Sequence, residues 1–356
     1  MSDIPRPYQA SGPIQPATRT LRTALHTRMA PLAADTDVPG AVAAVMRDGQ
    51  HAVLATGVRD TRTGTAMTAD TVFEIGSVTK TFTALLLATM AELHEVAYHD
   101  PIDLHLPEHG TPRPAGAPLP TLEELATHTA GLKRLPRGLI RRAGLRLRSD
   151  PYARYTSGDL YRATARLRPR PPHRRTERYS TFGMGLLGQL LSDAAGIPYP
   201  ALLADRVLRP LGMTSTIATG EAAAADTSAR GHRGGKPVPA WTFDALAGAG
   251  AVRSTAADLM RYTQAHLRPE STALAPALTA TQRVRPDGTC LGWQHRLIEG
   301  ANLYWHTGGT GGCTAFVGFC PDTAGAVVLL ANAAPSWRQP VIRTGRQLFR
   351  DVVFGP

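Results

Sequence analysis

TVFEIGSVTKTFTALLL (residues 71–87) carries a strand-like run into Gly76-Ser77 and then opens an apolar helical pattern that reaches about Leu93. Ser77 and Lys80 are three residues apart, so on a helix they share one face, one turn apart. A serine at the first turn sits at the positive end of the helix dipole, where backbone N–H groups can meet a developing oxyanion. A lysine whose charge is disfavoured by burial can take the serine proton. Taken alone, the S-x-x-K spacing also fits a capping serine and an exposed lysine. Two things favour chemistry: the strand-to-helix setting, and the scarcity of lysine, since Lys80 shares the chain with only Lys133 and Lys236.

Working outward, residues 1–15 read as a polar, proline-containing arm, and 16–356 as one catalytic domain. Leu21, Leu25, Met29 and Leu32 mark a helix that stops before Pro39-Gly40. The apolar runs Ala41–Met46 and Ala52–Ala55 flank Asp48-Gly49, a β-hairpin signal. The stretch from about 121 to 215 reads as mostly helical, broken by Pro-Arg-Pro-Pro at 169–172. LGWQHRLI, NLYWHTG, CTAFVGFC and AGAVVLLAN then read as short strands, followed by a helix over about 339–352. Strands, helices, strands and a last helix imply an α/β (α+β) fold. One antiparallel sheet would draw strands from both ends of the chain (a sheet lobe of about 16–75 and 235–356), with an all-helical lobe of about 77–234 inserted between them.

Two further stretches can carry chemistry. Tyr179-Ser180-Thr181 opens a Gly- and Leu-rich helix, and a tyrosine beside an ammonium ionises more easily and can act as a general base. A tyrosine before an ordinary Ser/Thr helix cap fits the same letters. Trp305-His306-Thr307-Gly308-Gly309 ends a strand in bare backbone that can approach a substrate and complete an oxyanion hole; a Gly-rich turn fits it as well.

In this order and spacing, the three signals resemble the class C β-lactamase, D,D-carboxypeptidase and related esterase family of penicillin-recognising serine enzymes. VPGAVAAVMRDGQ (38–50), LATHTAGL (125–132), PLGMTST (210–216), GAVRSTAADLMRY (250–262) and HTGGTGG (306–312) extend the likeness over about residues 20–350. The resemblance implies a β-lactamase/transpeptidase-like fold with Ser77 as acylated nucleophile, Lys80 and Tyr179 as the activating pair, and the N–H groups of Ser77 and Gly309 as the oxyanion hole. Thr181, His306, Thr307 and Gly308 would then touch substrate. Two positions depart from the family pattern. Thr181 stands where asparagine often holds the substrate's acylamino chain. His306 stands where β-lactamases of this class carry lysine, and a histidine only partly charged near neutrality anchors a carboxylate poorly.

Composition bounds the rest. Apolar residues make up 43% of the chain, enough for a large core. The three cysteines, Cys290, Cys313 and Cys320, fit neither a disulfide framework nor a zinc pattern. No cofactor or metal is implied. The N-terminal residues lack a secretory signal, and no apolar run is long enough for a membrane span, so a cytoplasmic location is expected. Residues 133–178 hold 15 Lys/Arg against Asp150, Asp159 and Glu177, a net +12 where the whole chain is +11. Several of these charges are expected near the cleft mouth, where they would steer an anionic substrate or an acidic carrier protein. No nucleic-acid motif accompanies them. The leading expectation is a serine hydrolase acting on an ester, amide or lactone. The alternatives are an acyltransferase or cyclase on the same scaffold, using a thioester or ester donor, and a ligand-binding or sensor domain without turnover.

Overall fold

Every residue of GAVAAVM (40–46) is buried, because this strand lies in the middle of a sheet covered on both faces. In the computed structural model, which describes residues 16–113, 116–218 and 227–355, it is β1 (Gly40–Arg47) of a seven-stranded antiparallel sheet. The others are β2 (Gln50–Asp60), β3 (Thr65–Ala66), β4 (Gln294–Ile298), β5 (Ala301–Gly309), β6 (Thr314–Cys320) and β7 (Gly325–Ala331). Their order is β3-β2-β1-β7-β6-β5-β4. Strands from the two ends of the chain therefore meet at β1 and β7, where Ala41 faces Ala331 and Met46 faces Ala326. The β1–β2 turn closes on Asp48 and Gly49, with φ of 49° and 77°. Both are left-handed, as a two-residue hairpin of the right twist requires. The arm over residues 1–15 lies outside the described residues.

Side chains alternate across the sheet. Ala41, Ala43 and Val45 join a core with Leu25 and Met29 of α1 (Pro16–Ala33) and with Leu348 and Phe349 of the C-terminal helix. Val42, Ala44 and Met46 face the larger core, built on α2 (Thr79–Glu92), α3 (Thr181–Ala195) and α4 (Ala256–Leu267); the C-terminal helix is α5 (Pro340–Phe354). Between α2 and α3 the chain is less regular than its pattern suggests: the helices there are five to eight residues long. Gly138 and Gly144, both at positive φ, bound one of them.

α2 is buried on all sides from Thr79 to Met90. A helix apolar all round belongs inside, and its hydroxyls are satisfied there. Thr83 Oγ1 lies 2.7 Å from both the Gly248 carbonyl and Tyr199 Oη. Thr79 Oγ1 accepts from the Val252 N–H at 3.1 Å. These bonds fix the axial position of the helix and therefore of what stands at its start.

Candidate active site

The turn into α2 is built by glycine. After the short strand Phe73–Glu74, Gly76 takes φ +50°, and residues 76–78 form a single tight turn leading into Thr79. A side chain on Gly76 would meet the backbone of Gly309 at 2.7–2.9 Å, and one on Gly308 would lie 1.9 Å from the Ile75 carbonyl oxygen. The end of β5 therefore runs backbone to backbone against the Ser77 turn, a contact that only bare glycine permits. Glu74 ties the same turn down. Its buried carboxylate accepts from the Trp241 N–H at 2.7 Å and from Thr310 Oγ1 at 3.0 Å, with Arg253 at 3.8 Å. Burial pushes the Glu74 carboxyl above its ordinary range, against the opposing effect of the Arg253 charge.

Ser77 is half-buried and Lys80 wholly buried. Lys80 Nζ donates to Ser77 Oγ at 2.9 Å and to the Ala249 carbonyl at 2.8 Å. No ion pair among the described residues includes Lys80. This decides between the two readings of the S-x-x-K spacing: the lysine turns inward onto the serine rather than out into water. Tyr179 completes the cluster, its ring centroid 5.0 Å from Lys80 Nζ. Ser180 caps α3, accepting from the Gly183 N–H at 2.8 Å and donating to the Lys133 carbonyl at 2.7 Å. Tyr179 therefore stands just before a fixed helix start.

Ser77, Tyr179, His306, Thr307, Gly308 and Gly309 line one cavity of about 630 Å³. A second, of about 350 Å³, shares Tyr179, Gln294, His306 and Arg346 with the first. Thr181 lines neither. It is the first residue of α3, behind the Ser180 cap, and it is buried.

Two imidazoles flank the tyrosine. His306 is 6.3 Å and His128 4.8 Å from it, ring to ring. Burial, reinforced by the charge of Lys80, lowers His306 from 6.5 to about 3. Burial lowers His128 to about 3 as well, with Lys80 and His306 adding to the shift. Both rings are thus neutral near pH 7, and the partial charge expected of His306 is absent. Their tautomers follow from their partners. His306 Nδ1 lies 2.8 Å from the Thr307 carbonyl, which can only accept, so the proton sits on Nδ1 and Nε2 is an acceptor. His128 Nδ1 accepts from the Ser180 N–H at 3.3 Å, so its proton sits on Nε2.

His128, Glu74, Arg134 and Arg346 were not singled out by sequence. His128 lies inside LATHTAGL and has φ +63°, a left-handed position rare for a side chain of its size. Nothing in the letters places it against a tyrosine 51 residues away. Among the described residues, Arg134 is the one basic side chain of segment 133–178 that lines the larger cavity, with its guanidinium 5.6 Å from the Tyr179 ring centroid. The segment's other described charges stand elsewhere than in the lining of this cavity. Arg175 is buried in an ion pair with Glu124 at 2.5 Å, and Arg142 and Arg162 both pair with Asp159. Lys133, Arg137, Arg166, Arg168, Arg170 and Arg178 line a different cavity. The three cysteines are free and buried, and no described helix is long and apolar enough to cross a membrane.

Comparison with known proteins agrees with this geometry. The beta-lactamase family model matches residues 25–349. Over 321 residues the chain is 29% identical to penicillin-binding protein 4 of Amycolatopsis lactamdurans, covering 83% of this chain and 81% of that one. It is 27% identical to a beta-lactamase of Escherichia coli K12, over 89% of this chain and 90% of the relative. It is also 27% identical to the D-alanyl-D-alanine-carboxypeptidase/endopeptidase AmpH of the same organism, over 74% and 72%. With a turn-borne serine held by a buried lysine and a match across most of its length, this chain belongs to the beta-lactamase family.

Proposed function

We propose that this protein is a serine hydrolase that cleaves an ester, amide or lactone through an acyl-enzyme on Ser77. The observation that carries the reading is the 2.9 Å contact between Lys80 Nζ and Ser77 Oγ, beneath Tyr179 and open to a substrate-sized cavity. In the proposed reaction Ser77 Oγ bonds to the substrate carbonyl carbon. Its proton passes into the Tyr179–Lys80 pair, because the lysine already donates to Oγ and a second acceptor is needed. The oxyanion is held by the N–H groups of Ser77 and Gly309, a role supported by the close backbone approach across Gly76. Collapse breaks the bond to the leaving group, which takes up the proton. Water then attacks the ester on Ser77 by the same route in reverse and restores the enzyme. Thr307 and Gly308 bound the substrate's side of β5.

A fluorophosphonate probe tests the reading. It is expected to add its mass to the peptide containing Ser77, and Ser77→Ala is expected to abolish both labelling and hydrolysis of nitrophenyl acetate. Labelling that persists in the alanine variant would refute the assignment. Adding amine nucleophiles to the same assay separates hydrolysis from acyl transfer. A product ratio dominated by amide at millimolar amine would make the chain an acyltransferase instead.

A further inference from the structure

Much of the charge of segment 133–178 collects away from the Ser77 cleft. Lys133, Arg137, Arg166, Arg168, Arg170 and Arg178 line one cavity of about 340 Å³, and no Asp or Glu is among its described lining residues. All six are exposed, and none enters an ion pair among the described residues. Three other cations of the segment, Arg142, Arg162 and Arg175, do find a carboxylate. Like charges gathered without a counter-charge repel one another and weaken the folded state, yet the backbone holds four of these in place. The Lys133 carbonyl accepts from Ser180 Oγ at 2.7 Å, that of Arg137 from Tyr155 Oη at 2.9 Å, and that of Arg170 from Arg175 Nε at 2.8 Å. The Arg178 N–H donates to the His128 carbonyl at 2.8 Å. The rest of the lining is apolar or glycine. Within it Leu132 and Phe182 are buried, and Leu135 and Leu167 pack partly buried against the larger core. Lys133 and Arg178 are chain neighbours of Arg134 and Tyr179, which line the Ser77 cavity, but the two cavities have no lining residue in common.

We propose that this cavity is a second ligand site, separate from the Ser77 cleft, and that it takes an organic diphosphate, with its phosphates on the arginines and its apolar or aromatic body against Leu132, Leu135, Leu167 and Phe182. A single carboxylate would answer one of six charges, whereas two phosphates answer several at once. The guanidinium fork matches phosphate geometry, and an exposed, unpaired arginine surrenders no existing ion pair to bind it. A concave site of this volume suits a small ligand, and its apolar walls gain from a body that a bare anion lacks. The site is independent of the hydrolase reading, since none of its residues belongs to the reacting group.

Calorimetric titration tests it with four probes of similar charge: inorganic pyrophosphate, ADP, geranyl diphosphate and an aspartate tripeptide. At least one organic diphosphate is expected to bind on the order of 10-fold more tightly than pyrophosphate or the peptide. The tighter of the two tells a nucleoside body from an alkyl one. The double variant Arg166→Gln/Arg168→Gln should weaken that binding by on the order of 10-fold. Two controls remove the same charge elsewhere and should leave it nearly unchanged. Arg141→Gln/Arg146→Gln lies in the same segment but outside the cavity, and Arg338→Gln/Arg346→Gln lies in the Ser77 cavity. Equal losses in the first control would reduce the effect to net charge, and a loss confined to the second would place the ligand in the cleft; either overturns the inference. Pyrophosphate binding as tightly as both organic diphosphates also overturns it. So does a peptide that binds as tightly or better, which would make the surface a dock for an acidic protein. Binding is read without turnover, so an inert Ser77 would refute the hydrolase reading and leave this result standing.

Discussion

Lys80 spends two of its three N–H donors on Ser77 and Ala249, and Tyr179 lies over it. Residues that share one proton-transfer task lose activity together rather than multiplicatively. Lys80→Ala and Tyr179→Phe are each expected to slow acylation by on the order of 10²-fold or more. The double variant should be little slower than either, and multiplicative losses in single-turnover acylation would show that the two act independently. His306 sets a second expectation. His306 is a neutral ring on β5 and Thr181 has no amide, so the charge and the amide that β-lactamases of this class offer a β-lactam are both absent from these positions. Nitrocefin should therefore be turned over more slowly than a simple ester; a kcat/KM for nitrocefin exceeding that for the ester would contradict this. The buried imidazoles also fix a pH dependence. His306 and His128 fall from 6.5 in the unfolded chain to about 3 in the folded one. Between these values the unfolded chain binds protons that the folded one does not, so stability is full above about pH 6.5 and declines as pH falls. Each histidine contributes a slope approaching about 1.4 kcal/mol per pH unit. Carboxylates held down by arginine, such as Asp159, add their own loss only near and below their ordinary range, at about pH 4. Denaturant titrations between about pH 4.5 and 6.5 should give a shallower slope for His128→Gln and His306→Gln than for the parent chain.

At the scale of elements, two pieces of backbone meet: the turn before α2 and the end of β5. Each side contributes a glycine, and neither position has room for a methyl group. Gly308→Ala would place its Cβ within bonding range of the Ile75 carbonyl, so β5 must shift. The expected cost is about 1–3 kcal/mol in stability and on the order of 10²-fold in kcat/KM, because Gly309 would move relative to Ser77. Thermal melts and ester kinetics on one preparation measure both. A variant with lowered Tm but parental kcat/KM would show that the position of β5 does not matter to the reaction.

Across the whole molecule, the basic segment serves the fold more than the cleft. Arg175 is nearly inaccessible, with 3% of its side chain exposed, and it bridges Glu124 and the Pro118 carbonyl. Glu124 also completes the capping box of the helix Leu122–Ala126 with Thr121. That helix leads into the loop bearing His128, so the arginine secures the approach to Tyr179. Removing it leaves a partly buried carboxylate without its partner, which costs about 1–3 kcal/mol. Arg175→Ala is thus expected to lower the denaturation midpoint clearly, and the neighbouring exposed Arg174→Ala to leave it unchanged. Equal midpoints for the two would refute a structural role for Arg175.

The letters alone determined the periodic elements. Leu21, Leu25, Met29 and Leu32 recur at helical spacing, Asp48-Gly49 suits a left-handed turn, and the β-rich runs near the C-terminus end at glycine, proline and acidic turns; each of these is local chemistry. The catalytic candidates Ser77, Lys80 and Tyr179 were legible too, because motif order and a family likeness stand in for distance. What only the tertiary structure decided was environment. Whether Lys80 faces water or Ser77, whether His306 is charged, and whether Thr181 reaches the cavity all depend on burial by residues far away in the chain. The fate of the arginines was equally hidden. A sum of +12 says nothing of which charges find a carboxylate, since pairing such as that of Arg175 with Glu124 joins positions 51 residues apart. Desolvation and pairing are properties of packed neighbours, and the sequence names neighbours only along the chain.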